Sequence, residues 1–375
     1  MIKLIQFGTV GLSVLYSGMK LLPVQKKVVM LSRQSNHPSD EFRMIERELK
    51  RQKSDVKVVC LCRKLNGGLN ASVFEKICYG MHMLKQMYHL ATAQVALLDT
   101  YCIPVSLLKH KQSLTIIQMW HSMGTMKKFG YTALDKAEGS RKDIAEAMKM
   151  HQNYDYVFAS ADAYKEHLAK GFHCEKGKII TMPLPRLDLL NSRAYKEQVQ
   201  KRIYEKYPQL KEKPVILYAP TFRKEEAEAA VAMKKLIHSI DKDKYNLVIK
   251  LHPLSDIKVK DACMRGEGFT SFEMLFAADY VISDYSCIIY ETAVLGIPLY
   301  FYDFDIDFYR KGRGLAIDYE QELPGVISKE AAQIVQAIEE ESYDREALKQ
   351  FADKYVTPTA HATKNIVEFI LQFIN

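Results

Sequence analysis

Short apolar runs alternate with stretches of helical periodicity along this chain, and the rhythm starts twice. In the first half, runs at 27–31, 55–62, 94–98, 114–119 and 154–158 read as strands, with helices over 40–52 and 73–90 between them. Alternation of this kind predicts a parallel sheet, because each parallel strand is reached by a crossover that is usually a helix. Around 183–192 the pattern breaks at Pro183, Pro185 and Arg186, and a charged helix over 194–207 runs up to Pro208. The rhythm then restarts with strands at 215–218, 245–251, 280–282 and 299–302. The last stretch, 347–375, reads as two helices broken at Pro358. No repeat at solenoid spacing and no low-complexity tract interrupts this order. The expectation is an α/β chain with two parallel-sheet domains.

The polar residues that stand out fall just after predicted strands. Trp120 and His121 follow 114–119, Thr221 and Arg223 follow 215–218, and His252-Pro253 follows 245–251. Asp284 and Ser286 follow 280–282, and Asp303 follows 299–302. Ligands of open α/β sheets bind at the carboxyl ends of the strands, so five such positions in two half-chains predict a cleft between two domains. Each residue alone has a plainer reading. His121 reads equally as a buried structural histidine, and Thr221 with Arg223 as a cap and a surface charge. Asp284 reads as a helix N-cap rather than a catalytic acid, since Ser283, Asp284 and Ser286 stand where a helix is expected to begin. Free backbone N–H groups at such an entry suit a phosphate. Gly124, Lys127 and Lys128 give the segment after His121 room and charge for an anionic ligand. Asp303 to Asp307 is acidic, but no full metal-ligand set is evident, and no cofactor motif appears.

At 375 residues, 48% hydrophobic and 26% charged, the chain is globular and suits two domains. The formal charge of +8 favours anionic partners. The basic residues are spread out, with no nucleic-acid-binding signature, so nucleic acid is not the expected partner. The odd total of seven cysteines is scattered, and Cys60 and Cys62 sit in an apolar run, which fits reduced thiols. Residues 4–19 carry no charge and are followed by Lys20, Lys26 and Lys27. The run is short for a bilayer span and glycine-diluted. It suits a helix packed on the body or lying in a membrane interface with lysines at the headgroups.

In order, the motifs resemble one family. Residues 118–130 read Gln-Met-Trp-His-Ser-Met-Gly-Thr-Met-Lys-Lys-Phe-Gly. Pro185-Arg-Leu-Asp188, Tyr218-Ala-Pro-Thr-Phe-Arg223, Lys250-Leu-His-Pro253, Ser283-Asp-Tyr-Ser286, Phe308 to Gly314 and Pro324-Gly325 follow. Together they are similar to the CDP-glycerol glycerophosphotransferases of wall teichoic acid synthesis, over about residues 20 to 330. Ser122 and Cys287 depart from that pattern. The resemblance implies a GT-B-like architecture of two Rossmann-like domains. In it, 23–192 is the acceptor domain and 193–345 the nucleotide-donor domain. Helices in 346–375 are expected to pack back on the former, and 1–22 stays open between a helix packed on the body and a membrane-interface helix. It implies transfer of glycerol phosphate or ribitol phosphate from CDP-glycerol or CDP-ribitol to a hydroxyl of a lipid-linked saccharide or polyol-phosphate acceptor, with release of CMP. The expected setting is the cytoplasmic face of an anionic membrane. His121 is the implied base and His252 a second catalytic residue. Thr221, Arg223, Ser286 and Arg313 are implied phosphate ligands, and Glu291 a ribose ligand. A sugar-transferring enzyme of the same fold and a non-catalytic basic membrane scaffold are the competing readings.

Overall fold

The computed structural model describes residues 2–64, 72–137, 139–258 and 264–375. Two compact units are built from it: residues 1–122, 128–188 and 359–375 in one, and 123–127 with 189–358 in the other.

The first unit carries β1 (Lys27–Ser32), β2 (Lys57–Cys62), β3 (Val95–Leu98), β4 (Thr115–Gln118), β5 (Tyr156–Ala159) and β6 (Ile179–Thr181). All pair in parallel, in the order β2-β1-β3-β4-β5-β6. Every residue of β1 and β3 is buried, as befits central strands covered on both faces. Helix α1 spans Ile2–Met19, α2 Asp40–Gln52 and α3 Val73–Thr92. Local chemistry fixes α2: the Ser39 side chain accepts the Phe42 N–H, Asp40 and Glu41 sit in the first turn, and Lys50 and Arg51 in the last. Its Phe42, Ile45 and Leu49 recur on one face and are buried. Helix Ala362–Leu371 packs on α2. The Asp188 carboxylate accepts the N–H groups of Ala362 and Thr363 at its start, at 2.7 and 2.9 Å.

The second unit carries β7 (Val215–Tyr218), β8 (Asn246–Ile249), β9 (Tyr280–Ser283), β10 (Leu299–Tyr302) and β11 (Ile327–Ser328). They form a parallel sheet in the order β11-β10-β9-β7-β8. On one face Ile216, Tyr218, Ile282 and Tyr300 pack against Met233 and Leu236 of helix Ala227–Ser239 and Ile334 and Ile338 of helix Ala331–Glu339. Helix Arg345–Tyr355 stays with this unit, placing Phe351 and Tyr355 against Tyr290.

Both sheets reverse direction at the same place in their order. After β2 the chain returns to set β3 on the other side of β1, and after β8 it sets β9 on the other side of β7. Such a reversal leaves a crevice outside the carboxyl ends of the two strands.

Helix α1 is anchored by one face. Tyr16 is buried and its hydroxyl meets His110 Nδ1 at 2.7 Å, while Lys20 donates to the Lys109 carbonyl at 3.0 Å. Phe7, Val10 and Val14 remain 79%, 63% and 68% exposed. Among the described residues, no helix is long and apolar enough to cross a membrane. The described cysteines are free thiols, and Cys263 lies outside the described residues.

Candidate active site

In the first unit, the site grows from the crevice between β1 and β3. The chain leaves β4 through Trp120, whose φ of +67° is unusual for a bulky residue. Gln118, fully buried, holds that turn: its Oε1 accepts the Trp120 N–H at 2.9 Å and its Nε2 donates to the Thr100 carbonyl at 3.2 Å. The indole packs on Phe129 and Phe172 with ring centroids 4.6 and 5.2 Å apart. Packing of this kind sustains a strained backbone that would otherwise relax. The result is to turn His121 back over the end of β3, where its Nδ1 donates to the Asp99 carbonyl at 3.1 Å.

A carbonyl can only accept, so this bond fixes the His121 proton on Nδ1 and leaves Nε2 as an acceptor. Crowding by protein atoms pushes the ring's pKa down to about 4, against an opposing pull from the Asp99 carbonyl. The side chain is nonetheless open to water on its other side. Solvent tempers the shift without reversing it, and the imidazole is neutral at pH 7. Beneath it, Asp99 is buried, and burial raises its carboxyl to about 6 despite hydrogen bonds from Ser32 and Thr100. Arg186, from helix Arg186–Leu190, donates through Nε to Glu41 at 2.6 Å and pairs with it again through Nη2. Burial raises the Glu41 carboxyl, but Arg186 outweighs it and holds the group below the usual range.

In the second unit, the polar residues converge on the reversal between β7 and β9. The Asp284 carboxylate accepts the Thr221 N–H at 2.9 and 3.1 Å and the Tyr285 N–H at 2.6 Å. Arg223 is buried, with Nε and Nη2 on Asp305 at 2.6 and 2.8 Å and Nη1 on Asp284 and the Thr221 carbonyl at 2.8 and 2.6 Å. Burial works against the guanidinium charge, and Asp284 and Asp305 outweigh it. His252 is exposed and its Nδ1 accepts the Leu254 N–H at 3.2 Å, so Nε2 carries the proton of the neutral ring. Lys127 lies 3.4 Å from Thr221 Oγ1 and over the Tyr309 ring. Burial lowers its pKa, and Arg313 adds to that against the pull of Cys287 and Asp284. Glu291 is buried within helix Ile288–Val294.

Two expectations need correction. Asp284 does not cap a helix: the helix begins at Ile288, with Cys287 at the N-cap and no side-chain cap bond. The carboxylate faces the β7 loop instead, because Thr221 N–H and Arg223 are nearer demands. Arg223 is not placed as a phosphate ligand, since at least four of its five N–H groups are spent on Asp305, Asp284 and Thr221. The segment after His121 also divides. Gly124 and Lys127 belong to the second unit, where the Met126 carbonyl accepts the Ala316 N–H, and Lys128 belongs to the first. Ser286 is half-buried between β9 and helix Ile288–Val294. Among the described residues, no group of three or more His, Cys, Asp or Glu is placed to hold a metal ion.

Reading by sequence missed Asp99, Glu41 and Gln34. Asp99 follows β3 directly and meets the same strand-end rule that marked His121. Glu41 looks like an ordinary first-turn acid of α2, and only the fold brings it to Arg186.

Residues 15–372 match the model of the CDP-Glycerol:Poly(glycerophosphate) glycerophosphotransferase family. The teichoic acid ribitol-phosphate primase of Bacillus spizizenii is 32% identical over 373 residues, covering 94% of this chain and 93% of the relative. The teichoic acid glycerol-phosphate primase of Bacillus subtilis is 27% identical, covering 79% of this chain and 78% of the relative. The chain spans 54% of the length of the poly(ribitol-phosphate) polymerase of Bacillus spizizenii, with 28% identity. Among solved structures, the wall teichoic acid polymerase TagF superposes with a TM-score of 0.74 at 20% identity, over 98% of this chain and 97% of that one. A UDP-GlcNAc 2-epimerase from Neisseria meningitidis gives 0.60 at 13%, over 92% of this chain and 100% of that one. These two likenesses are of fold.

Proposed function

This chain belongs to the CDP-glycerol:poly(glycerophosphate) glycerophosphotransferase family and is a polyol-phosphate transferase of teichoic acid synthesis using a CDP-polyol, and from that premise we propose how its two histidines divide the work. The observation that carries the reading is their opposite tautomers. His121 has its Nδ1 proton tied to the Asp99 carbonyl, which leaves Nε2 to take the proton of the attacking acceptor hydroxyl. His252 accepts at Nδ1 from Leu254, so its neutral ring carries the proton on Nε2, the donor this reading aims at a phosphate oxygen as charge builds there.

Attack of the hydroxyl on the polyol-bearing phosphorus breaks its bond to the bridging oxygen. CMP leaves, and the proton passes to His121. Lys127, Thr221, Ser286 and Arg313 hold the diphosphate. Lys127, expected from the sequence only to serve an anionic ligand after His121, is assigned in this reading to the donor, on the strength of its place beside Thr221. Arg223 acts through Asp284 and Asp305 by fixing the Thr221 loop. Glu291 holds the ribose. The acceptor is lipid-linked, and the uncovered apolar faces of α1 and α3 bring the protein to an anionic membrane surface.

His121→Ala is expected to lower transfer by about 10²–10⁴ while leaving CDP-polyol affinity intact. CMP release with CDP-glycerol and with CDP-ribitol, alongside calorimetry of donor binding, checks both. A folded variant retaining more than about a tenth of wild-type turnover removes His121 as the base. Release of CDP from either donor would point to sugar-type transfer instead.

A further inference from the structure

A cavity of about 270 Å³ lies in the first unit at the His121 ring, lined among others by Gln34, Glu41, Asp99, Trp120, His121 and Arg186. Its walls come from the carboxyl ends of β1, β3 and β4, from the first turn of α2 and from the helix that follows β6. That is the crevice at the sheet's reversal, where α/β sheets bind ligands. At about 30 Å³ per liquid water it has room for on the order of nine waters, enough for a sugar ring or a short polyol. Its chemistry is mixed. Two carboxyl groups face it, Asp99 and Glu41, and Glu41 already holds the Arg186 guanidinium through two nitrogens. Trp120 supplies an aromatic wall. Carboxylates accept from hydroxyl groups. A phosphate entering the same space would meet two carboxyls with the one guanidinium already paired, which disfavours it.

We propose that this cavity is the acceptor subsite, and that it takes an uncharged hydroxyl-rich terminus, a sugar ring or an acyclic polyol, with the attacking hydroxyl on His121 Nε2. This rests on the transferase reading above and specifies which part of the acceptor the first unit grips. The anionic linkage of the acceptor stays outside the cavity. Asp99 then does two things: its carbonyl orients His121, and its carboxyl accepts an acceptor hydroxyl.

The test uses the full chain and two soluble acceptor probes, an alkyl-diphosphate disaccharide and the same disaccharide extended by one glycerol phosphate. Two variants separate binding from folding. Gln34→Trp fills the cavity from an exposed rim position, and Asp99→Asn keeps the backbone carbonyl that holds His121. Each is expected to raise the acceptor KM about tenfold with donor Kd by calorimetry unchanged. Asp99→Asn is expected to raise the acceptor KM by a larger factor than it lowers kcat. A shift confined to the disaccharide probe identifies a sugar-ring subsite, and a shift with both probes identifies a subsite that also takes the polyol. Unchanged acceptor KM in both variants overturns the proposal. So does a fall in kcat alone for Asp99→Asn, which would give it only the role of orienting His121. Failure of the wild type to release CMP from either donor is a separate outcome, and it would overturn the division of labour between the histidines together with the subsite.

Discussion

Two histidines that look alike in sequence differ in what Nδ1 meets, a backbone carbonyl at His121 and a backbone N–H at His252. That difference, and not their positions after strands, is what the proposed mechanism uses to tell a proton acceptor from a proton donor. Asp99 offers a measurement at the same scale. Its carboxyl is raised to about 6 from an ordinary 3.8 by burial. A folded-state pKa above the unfolded one means the folded state holds the proton more tightly. Its contribution to stability is therefore complete below about pH 3.8 and is lost as pH rises through about 6. The gap corresponds to about 3 kcal/mol. Asparagine cannot ionise, so the difference in unfolding free energy between wild type and Asp99→Asn is expected to move in favour of the variant by about that amount between pH 4 and pH 7. Urea titrations across this range check it. A pH-independent difference would show that Asp99 is ionised in the folded protein throughout.

The strands of the interior were legible because their apolar runs are unbroken. β7 (Val215–Tyr218) and β10 (Leu299–Tyr302) have the bounds that composition gives them, and α2 starts and ends where its cap and charges say. β6 and β11 were not legible, being three and two residues long, too short to carry a period. Although Asp99, directly after β3, was passed over, candidate site residues were legible at several strand ends. What each one touches was not, because partners lie far apart in the chain. Arg223 finds Asp305 eighty-two residues on, a pairing that no local pattern announces. The loop after β7 depends on that fork. Arg223→Lys keeps the charge but has no planar pair of donors for Asp305 and cannot reach Asp284 as well. A buried carboxylate left without a partner costs about 3–5 kcal/mol when a pair is broken outright. The lysine variant is expected to lose about 2–3 kcal/mol and to weaken donor binding through the Thr221 loop. Denaturant unfolding and calorimetry with a CDP-polyol measure the two effects. A variant with wild-type stability and donor Kd would show that the guanidinium fork does not organise the loop.

For the whole molecule, the question left by the proposed chemistry is how a globular protein would meet an acceptor carried on a lipid. Its net charge of +8 draws it toward anionic surfaces over distances set by ionic strength. Contact then needs apolar area. Adjacent helices α1 and α3 each leave a stripe uncovered: Phe7, Val10 and Val14 on one, Phe74, Ile77 and Met81 on the other. Phe74 and Met81 are 75% and 63% exposed. Lys3, Lys76 and Lys85 stand exposed on the same two helices, where headgroup phosphates would sit. Deleting residues 1–22 is a poor test, because it also removes Tyr16 and its bond to His110 from the interior. The double variant Phe7→Ser with Phe74→Ser leaves the buried face intact. Each phenyl ring inserted in the interface contributes on the order of 1.5–3 kcal/mol when fully buried, and less when it goes in part way. The double variant is therefore expected to bind vesicles of anionic phospholipid at least about tenfold more weakly, with turnover of a soluble acceptor unchanged. Co-sedimentation at low and moderate salt measures the binding. Equal sedimentation of variant and wild type would assign any attraction to charge alone and leave the two apolar stripes without a membrane role.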